Sequence, residues 1–222
     1  MAERPRFSRL PRHVGFIPDG NRRWARERGL HPEFGYAAGL DVGLALLDEC
    51  LAFGIEEASV YGFTMDNTKR PKDQRLAFAA ACAHFVDEAM KRPIALQVVG
   101  ESTSHVFPDE LKPYVDQRVG EGALKVNMLV NYGWNWDLQT AACAHHAAGG
   151  KGQLTDHLAS RDVSRIDLVV RWGGMRRLSG FLPIQSVYAD FYVVDELWPD
   201  YQPEQFHAAL EWYGKQDVTL GG

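Results

Sequence analysis

The chain has 222 residues, 45% hydrophobic and 24% charged, with a formal net charge of −5. That length suits one α/β domain with a full core. The negative balance excludes a surface that gathers nucleic acid through its overall field, so any anion site has to be a local cluster of arginines.

In chain order, residues 1–12 are basic without an apolar core, unlike a secretory signal, and read as a flexible N-terminal segment preceding one domain over 13–222. An apolar strand from His13 stops at Asp19-Gly20-Asn21, and a short helix follows around 21–28. A helix over 37–53 ends at Gly54; then come a strand over 57–63, a helix over 72–91 starting after Pro71, and a strand over 94–99. A helix over 108–119, a strand over 124–132 and a helix over 134–148 follow, then strands over 166–172 and 190–194 and a closing helix over 203–212. This alternation predicts a single α/β domain with a mainly parallel central sheet and helices on both faces. No apolar run is long enough to span a membrane. Cys50, Cys82 and Cys143 show no Cys-x-x-Cys spacing and read as free thiols of a reducing compartment, which points to the cytoplasm.

Ligands of such sheets bind at the carboxyl ends of the strands, which places residues 19–23, 64–70, 131–134 and 171–179 on one rim. At the first of these, a turn leaves backbone N–H groups and the positive end of a helix dipole at one spot, joined by Arg22 and Arg23. Asp19 is out of place in an anion site unless a divalent cation lies between carboxylate and phosphate, so the turn reads as a magnesium–diphosphate site; an ordinary turn with an acidic cap is the alternative. Thr64, Asn67 and Arg70 offer a hydroxyl, an amide and a guanidinium, and Arg171, Arg176 and Arg177 flank a flexible Gly173-Gly174. Guanidinium forks bind phosphate oxygens in pairs. Each loop taken singly reads first as solvated surface, whereas four on one rim point to phosphate. Asp190 is expected near the same rim as a second carboxylate, or else as a strand-end surface residue. The spacing Cys143-x-His145-His146 offers zinc-type ligands, but adjacent histidines point to different helix faces.

His-Val-x-x-Ile-x-Asp-Gly-Asn-x-Arg-Trp, Tyr-x-Phe-x-x-x-Asn-x-x-Arg-Pro, Asn-Tyr-Gly, a late Arg-x-x-Gly-x-x-Arg-x-Ser, and Tyr188-Ala189-Asp190-Phe191-Tyr192 with Leu197-Trp198-Pro199-Asp200 occur in this order from about His13 to Trp212. The pattern resembles the cis-prenyltransferases, the undecaprenyl diphosphate synthase family. The resemblance implies a homodimer with an apolar tunnel beneath two diphosphate sites and a requirement for Mg2+. It implies that Asp19 holds magnesium on the allylic diphosphate, that Gly20, Asn21, Arg22 and Arg23 bind that group, and that Thr64, Asn67 and Arg70 serve catalysis. It further implies that Arg171, Arg177 and Ser179 bind the second diphosphate and that Asp190 takes the place of a metal-binding Glu.

The departures carry information too. Arg171-Trp172-Gly173-Gly174-Met175 stands where the family has Arg-Thr-Ser-Gly-Glu; Gly180 replaces an Asn; Pro32 and Tyr36 replace an Arg and a His; Thr68 replaces a Trp; Trp134 replaces a Gly. The segment between the 72–91 helix and the 94–99 strand is also short for the family. A shortened tunnel wall with added tryptophans argues against a long product, because each buried CH₂ contributes about 0.8 kcal/mol and a long chain needs a long cavity. This pattern resembles the actinobacterial members that make irregular monoterpenes, the lavandulyl and cyclolavandulyl diphosphate synthases, and implies dimethylallyl diphosphate at both sites. Trp172 is expected at the substrate, and it and Trp134 either shelter a carbocation through their faces or simply pack. Regular elongation with isopentenyl diphosphate to a short chain, and a non-catalytic partner subunit, are the alternatives; the intact Asp19-Gly20-Asn21 speaks against the latter.

Overall fold

The computed structural model describes residues 5–69 and 71–217, without the side chains of residues 68 and 69. Runs of β-branched and aromatic residues form β1 (His13–Ile17), β2 (Glu57–Thr64), β3 (Ile94–Val99), β4 (Leu124–Tyr132), β5 (Leu168–Arg171) and β6 (Asp190–Val193). They make one sheet in the order β3-β4-β2-β1-β5-β6, with every pairing parallel. Both faces are covered, so β1 and β3 are buried at every position rather than at alternate ones.

The helices are α1 (Asn21–Glu27), α2 (Pro32–Phe53), α3 (Lys72–Ala89), α4 (Trp134–Ala147) and α5 (Pro203–Gly214). On one face, Val14, Phe16, Leu96, Val126 and Val170 pack with Leu47, Phe85 and Phe206 from α2, α3 and α5. On the other, Ile17, Tyr61, Leu129 and Val169 pack with Phe181, Leu182 and Trp136 of α4. The chain steps from β1 to β2 on one side and returns as β5 on the other, so the order reverses at β1. The crevice for a ligand therefore opens where the carboxyl ends of β1 and β5 adjoin.

Three expectations are corrected. The second helix begins at Pro32, not 37, because His31 is extended and Pro32 occupies the first turn, where its missing N–H costs nothing. The helix expected over 108–119 is a single 3₁₀ stretch, Asp109–Tyr114, with Pro113 inside it. Beyond it, Val119 exchanges both main-chain hydrogen bonds with Leu96 at 2.8 Å, covering the edge strand β3. Finally, residues 5–12 are docked rather than loose. Phe7 meets Phe53 edge-on at 5.3 Å, and the Arg9 guanidinium donates to the carbonyls of Tyr213 at 2.7 Å and Gln216 at 3.0 Å.

A polar network is buried near the amino ends of the strands. His13 Nε2 meets Ser59 Oγ at 2.9 Å and its Nδ1 meets Ser164 at 3.0 Å; Asn127 donates to Glu57 at 2.7 Å, and Arg118 donates to Asn127 at 2.7 Å. Burial pushes the His13 pKa below its ordinary 6.5, outweighing the pull of Glu57 and Asp167. The unfolded chain therefore binds more protons than the native one as pH drops below that value, and stability falls. The denaturation midpoint is expected to decline between about pH 7.5 and 5.5, more steeply than in His13→Gln. An equal fall of the midpoint with pH in wild type and His13→Gln would contradict this.

Candidate active site

β1 ends at Ile17, and its next residues turn sharply: the Asp19 N–H bonds the Ile17 carbonyl at 3.0 Å, and Gly20, at φ 118°, opens α1. Among the described residues, the N–H groups of 20–23 meet no main-chain acceptor, the first helical bond being from Trp24 N–H to the Gly20 carbonyl. The turn is fixed from below. Trp198 N–H bonds the Asp19 carbonyl at 3.0 Å, and Trp24 donates its indole N–H to Asp200 at 2.7 Å.

β5 delivers Arg171 to the same crevice. Its side chain is only 4% exposed and reaches three oxygens: Asp19 Oδ2 at 2.8 Å, Ser179 Oγ at 2.8 Å and the Arg177 carbonyl. Arg23 closes on the other Asp19 oxygen at 3.6 Å and donates to the Gly173 carbonyl at 2.9 Å. Gly173 lies at φ +84°, and a Cβ there would stand 2.3 Å from the Arg23 guanidinium. Gly173-Gly174 is thus no hinge: both N–H groups bond carbonyls after β6, those of Glu196 and Val194. Asp19 is consequently held between two cations, while Arg171 Nε and Asn21 Oδ1 are buried without a partner. An unpaired buried donor on a guanidinium fork is a standing cost that an anion can remove.

The other expected residues divide. Thr64 ends β2, and its hydroxyl accepts the Asn67 N–H at 3.3 Å in the 3₁₀ turn Met65–Lys69. Arg22 and Arg177 are exposed on the rim. Arg70 lies outside the described residues. Asp190 is displaced from the site altogether: it begins β6, pairs with Leu168 at the start of β5, and so lies at the amino ends, roughly 10 Å of strand from the rim. Burial raises its pKa, but nothing brings it toward Asp19.

Trp172 also departs from expectation. Its ring is fully buried in the core against Phe16, Trp198 and Tyr201, with its N–H on Gln205 at 2.9 Å. The strand's alternation turns it away from the crevice that Arg171 faces. Trp172→Ala is therefore expected to cost about 3–5 kcal/mol of stability, seen as a lower urea midpoint; an unchanged midpoint would contradict the packing role.

Beneath the turn lies an open cleft between α2, α3 and the sheet, lined by Tyr36, Leu40, Phe78, Phe85, Met128 and Trp198 among others. In its lining the Tyr36 and Phe78 rings lie 4.7 Å apart, and Phe85 approaches within 2.9 Å of the Cβ position of Gly43. Sequence reasoning passed over Tyr61, whose hydroxyl donates to the Ser179 carbonyl at 3.1 Å and so fixes the loop after β5. Desolvation raises its pKa, with Asp66 opposing and Arg171 favouring ionisation. Its place in Tyr-x-Phe was the available signal. Among the described residues, the only side chains close enough to share a metal ion as a group of three are His84, Asp87 and Glu88, on α3 and apart from this rim, where Lys91 already pairs with Glu88.

The model of a family described as putative undecaprenyl diphosphate synthase matches residues 17–221. The ditrans,polycis-undecaprenyl-diphosphate synthase ((2E,6E)-farnesyl-diphosphate specific) of Pseudomonas aeruginosa is 32% identical, over 96% of this chain and 91% of its own. The Escherichia coli K12 protein of the same name is 29% identical, over 100% of this chain and 95% of its own. Lavandulyl diphosphate synthase from Lavandula x intermedia, solved in complex with dimethylallyl diphosphate, shares the fold: TM-score 0.84 at 22% identity, covering 96% of this chain and 99% of that one.

Proposed function

The chain belongs to the undecaprenyl diphosphate synthase family and is a prenyltransferase, and on that premise we propose that it joins two molecules of dimethylallyl diphosphate head-to-middle into a branched or cyclised C10 diphosphate of the lavandulyl or cyclolavandulyl type. The observation that carries the reading is the Asp19–Arg171–Arg23 cluster beside an apolar cleft. Its lining is mostly apolar and aromatic, as in pockets that take small organic ligands.

In this reading, the 20–23 N–H groups, Asn21, Arg22 and Arg23 take the donor diphosphate, with Thr64, Asn67 and Arg70 beside it. Arg171, Arg177 and Ser179 take the acceptor diphosphate. Arg171 stands between the two because it already touches both Asp19 and Ser179. The Asp19–Arg171 pair then acts as a placeholder: a phosphate that takes the guanidinium fork frees the carboxylate. One carboxylate with phosphate oxygens and waters is a normal magnesium environment, and Asp19 would hold the ion without help from Asp190. Bound there, magnesium would supply charge neutralisation to the diphosphate.

The donor C1–O bond breaks with its electron pair going to the diphosphate, and Arg23 and Arg171 stabilise that developing charge. The acceptor alkene carbon next to C1 forms the new C–C bond. The resulting tertiary cation loses a proton to the released diphosphate, directly or after ring closure. The enzyme is taken to be a homodimer; Ile184, Val187 and Tyr188 form an apolar surface, exposed by 47%, 67% and 62%, of the kind an interface covers. No helix among the described residues is long and apolar enough to cross a membrane.

A second reading rests on the relatives at 29–32% identity, all named as farnesyl-diphosphate-specific undecaprenyl-diphosphate synthases: regular addition of isopentenyl diphosphate, here to a short product. Incubation with dimethylallyl diphosphate alone, with product identified by mass spectrometry and NMR, separates the two. A C10 diphosphate is expected; turnover only when isopentenyl diphosphate is added would end the irregular reading.

A further inference from the structure

Trp134, the first residue of α4, is left 51% exposed at the rim, yet its ring is seated. Its Cδ1 lies 2.6 Å from where a Cβ on Gly180 would stand, so an indole at 134 and a side chain at 180 exclude one another. The neighbouring Gly133 is pressed against Met65 of the turn after β2, whose sulfur is 2.7 Å from the corresponding Cβ position. The indole itself packs on the loop after β5 at Gly180, the residue next to Ser179, whose hydroxyl accepts from Arg171 at 2.8 Å and whose carbonyl accepts from Tyr61 at 3.1 Å. A large aromatic, half in solvent, is thus fitted to the loop that holds the buried Arg171, whose Nε has no partner.

We infer that Trp134 and Gly180 form one fitted pair that walls the second-substrate site and decides which C5 diphosphate is admitted there, favouring the methyl-substituted alkene of dimethylallyl diphosphate over isopentenyl diphosphate. This rests on the assignment of Arg171 and Ser179 to the second diphosphate. The indole face lies against the dimethyl end of the acceptor and holds its inner alkene carbon toward the donor C1. Without the ring, the site loses its preference for the more substituted alkene.

The test uses the full-length enzyme with dimethylallyl diphosphate and an equal concentration of isotopically labelled isopentenyl diphosphate. Trp134→Ala and Gly180→Asn, the latter a residue that tolerates the φ of +75° found there, are compared with wild type for the labelled share of product and for the KM of isopentenyl diphosphate. Each is expected to shift the labelled-to-unlabelled ratio toward isopentenyl diphosphate by about 10-fold, the scale on which apolar pockets discriminate. The double variant is expected to shift it no further, because both changes remove the same wall. An unchanged ratio and KM in Trp134→Ala with an unchanged melting temperature, or independent additive effects, would overturn the pair. Should wild type form no C10 diphosphate from dimethylallyl diphosphate alone, the irregular reaction falls, while the KM of isopentenyl diphosphate still decides the pair: a change in both single variants supports it and no change overturns it.

Discussion

Asp19→Asn is expected to lower kcat/KM for C10 formation by about 10³-fold, the scale on which one lost electrostatic group at a charge-developing centre is felt, with little change in fold. The substitution keeps the shape and removes only the charge. In the ligand-free protein that charge is balanced twice, by Arg171 at 2.8 Å and Arg23 at 3.6 Å. With its side chain about a third exposed (35%), its loss costs the fold about 1 kcal/mol at most. The catalytic cost is larger because, among the described residues, the carboxylate is the only one paired with both arginines and so the one anchor for a cation between phosphates. Addition of more magnesium is expected to recover part of the rate if the defect is weakened ion binding. Full activity in Asp19→Asn would contradict the role of Asp19 as the anchor of the cation.

Arg171→Ala is expected to do two things at once. Its guanidinium bridges the carboxyl-end turn of β1 and the Ser179 hydroxyl, and it also holds the Arg177 carbonyl. Removing so buried a partner is expected to cost about 3 kcal/mol of stability and to weaken one of the two bound diphosphates more than the other, read as two stepwise dissociation constants in titration with an unreactive analogue. Arg171→Lys separates the two effects. A lysine restores the charge but cannot reach three oxygens as a planar fork, so stability is expected to recover in part while the weaker site stays at least about 10-fold weaker, the cost of roughly one strong hydrogen bond. Equal weakening of both sites would contradict the division of the rim into two sites.

The fold class and most of the rim were legible because they are local. Val-Val before Arg171 and the Phe-Ile run before Asp19 announce strand ends, and parallel topology then puts their loops together. What failed depended on packing across the sheet. Motif order points Asp190 to the rim, yet strand polarity puts the first residue of β6 at the far end. Sequence adjacency groups Trp172 with Arg171, although neighbouring residues of an extended chain face opposite ways and the ring joins Trp198 and Tyr201 in the core. Gly173-Gly174 read as freedom, whereas the missing Cβ of Gly173 is the space Arg23 occupies. The 108–119 segment had a helix-compatible composition, and Pro113 together with pairing to β3 decided against it. The Trp134–Gly180 contact joins residues 46 positions apart, a separation that no local pattern announces.

The account turns on two diphosphates meeting across the Asp19–Arg171 pair. Calorimetric titration with the unreactive thio-analogue of dimethylallyl diphosphate in the presence of magnesium measures this directly. It is expected to give two molecules bound per chain, with the magnesium-dependent one lost in Asp19→Asn and the other weakened in Arg171→Ala. A single site per chain, or two sites indifferent to both substitutions, would contradict it.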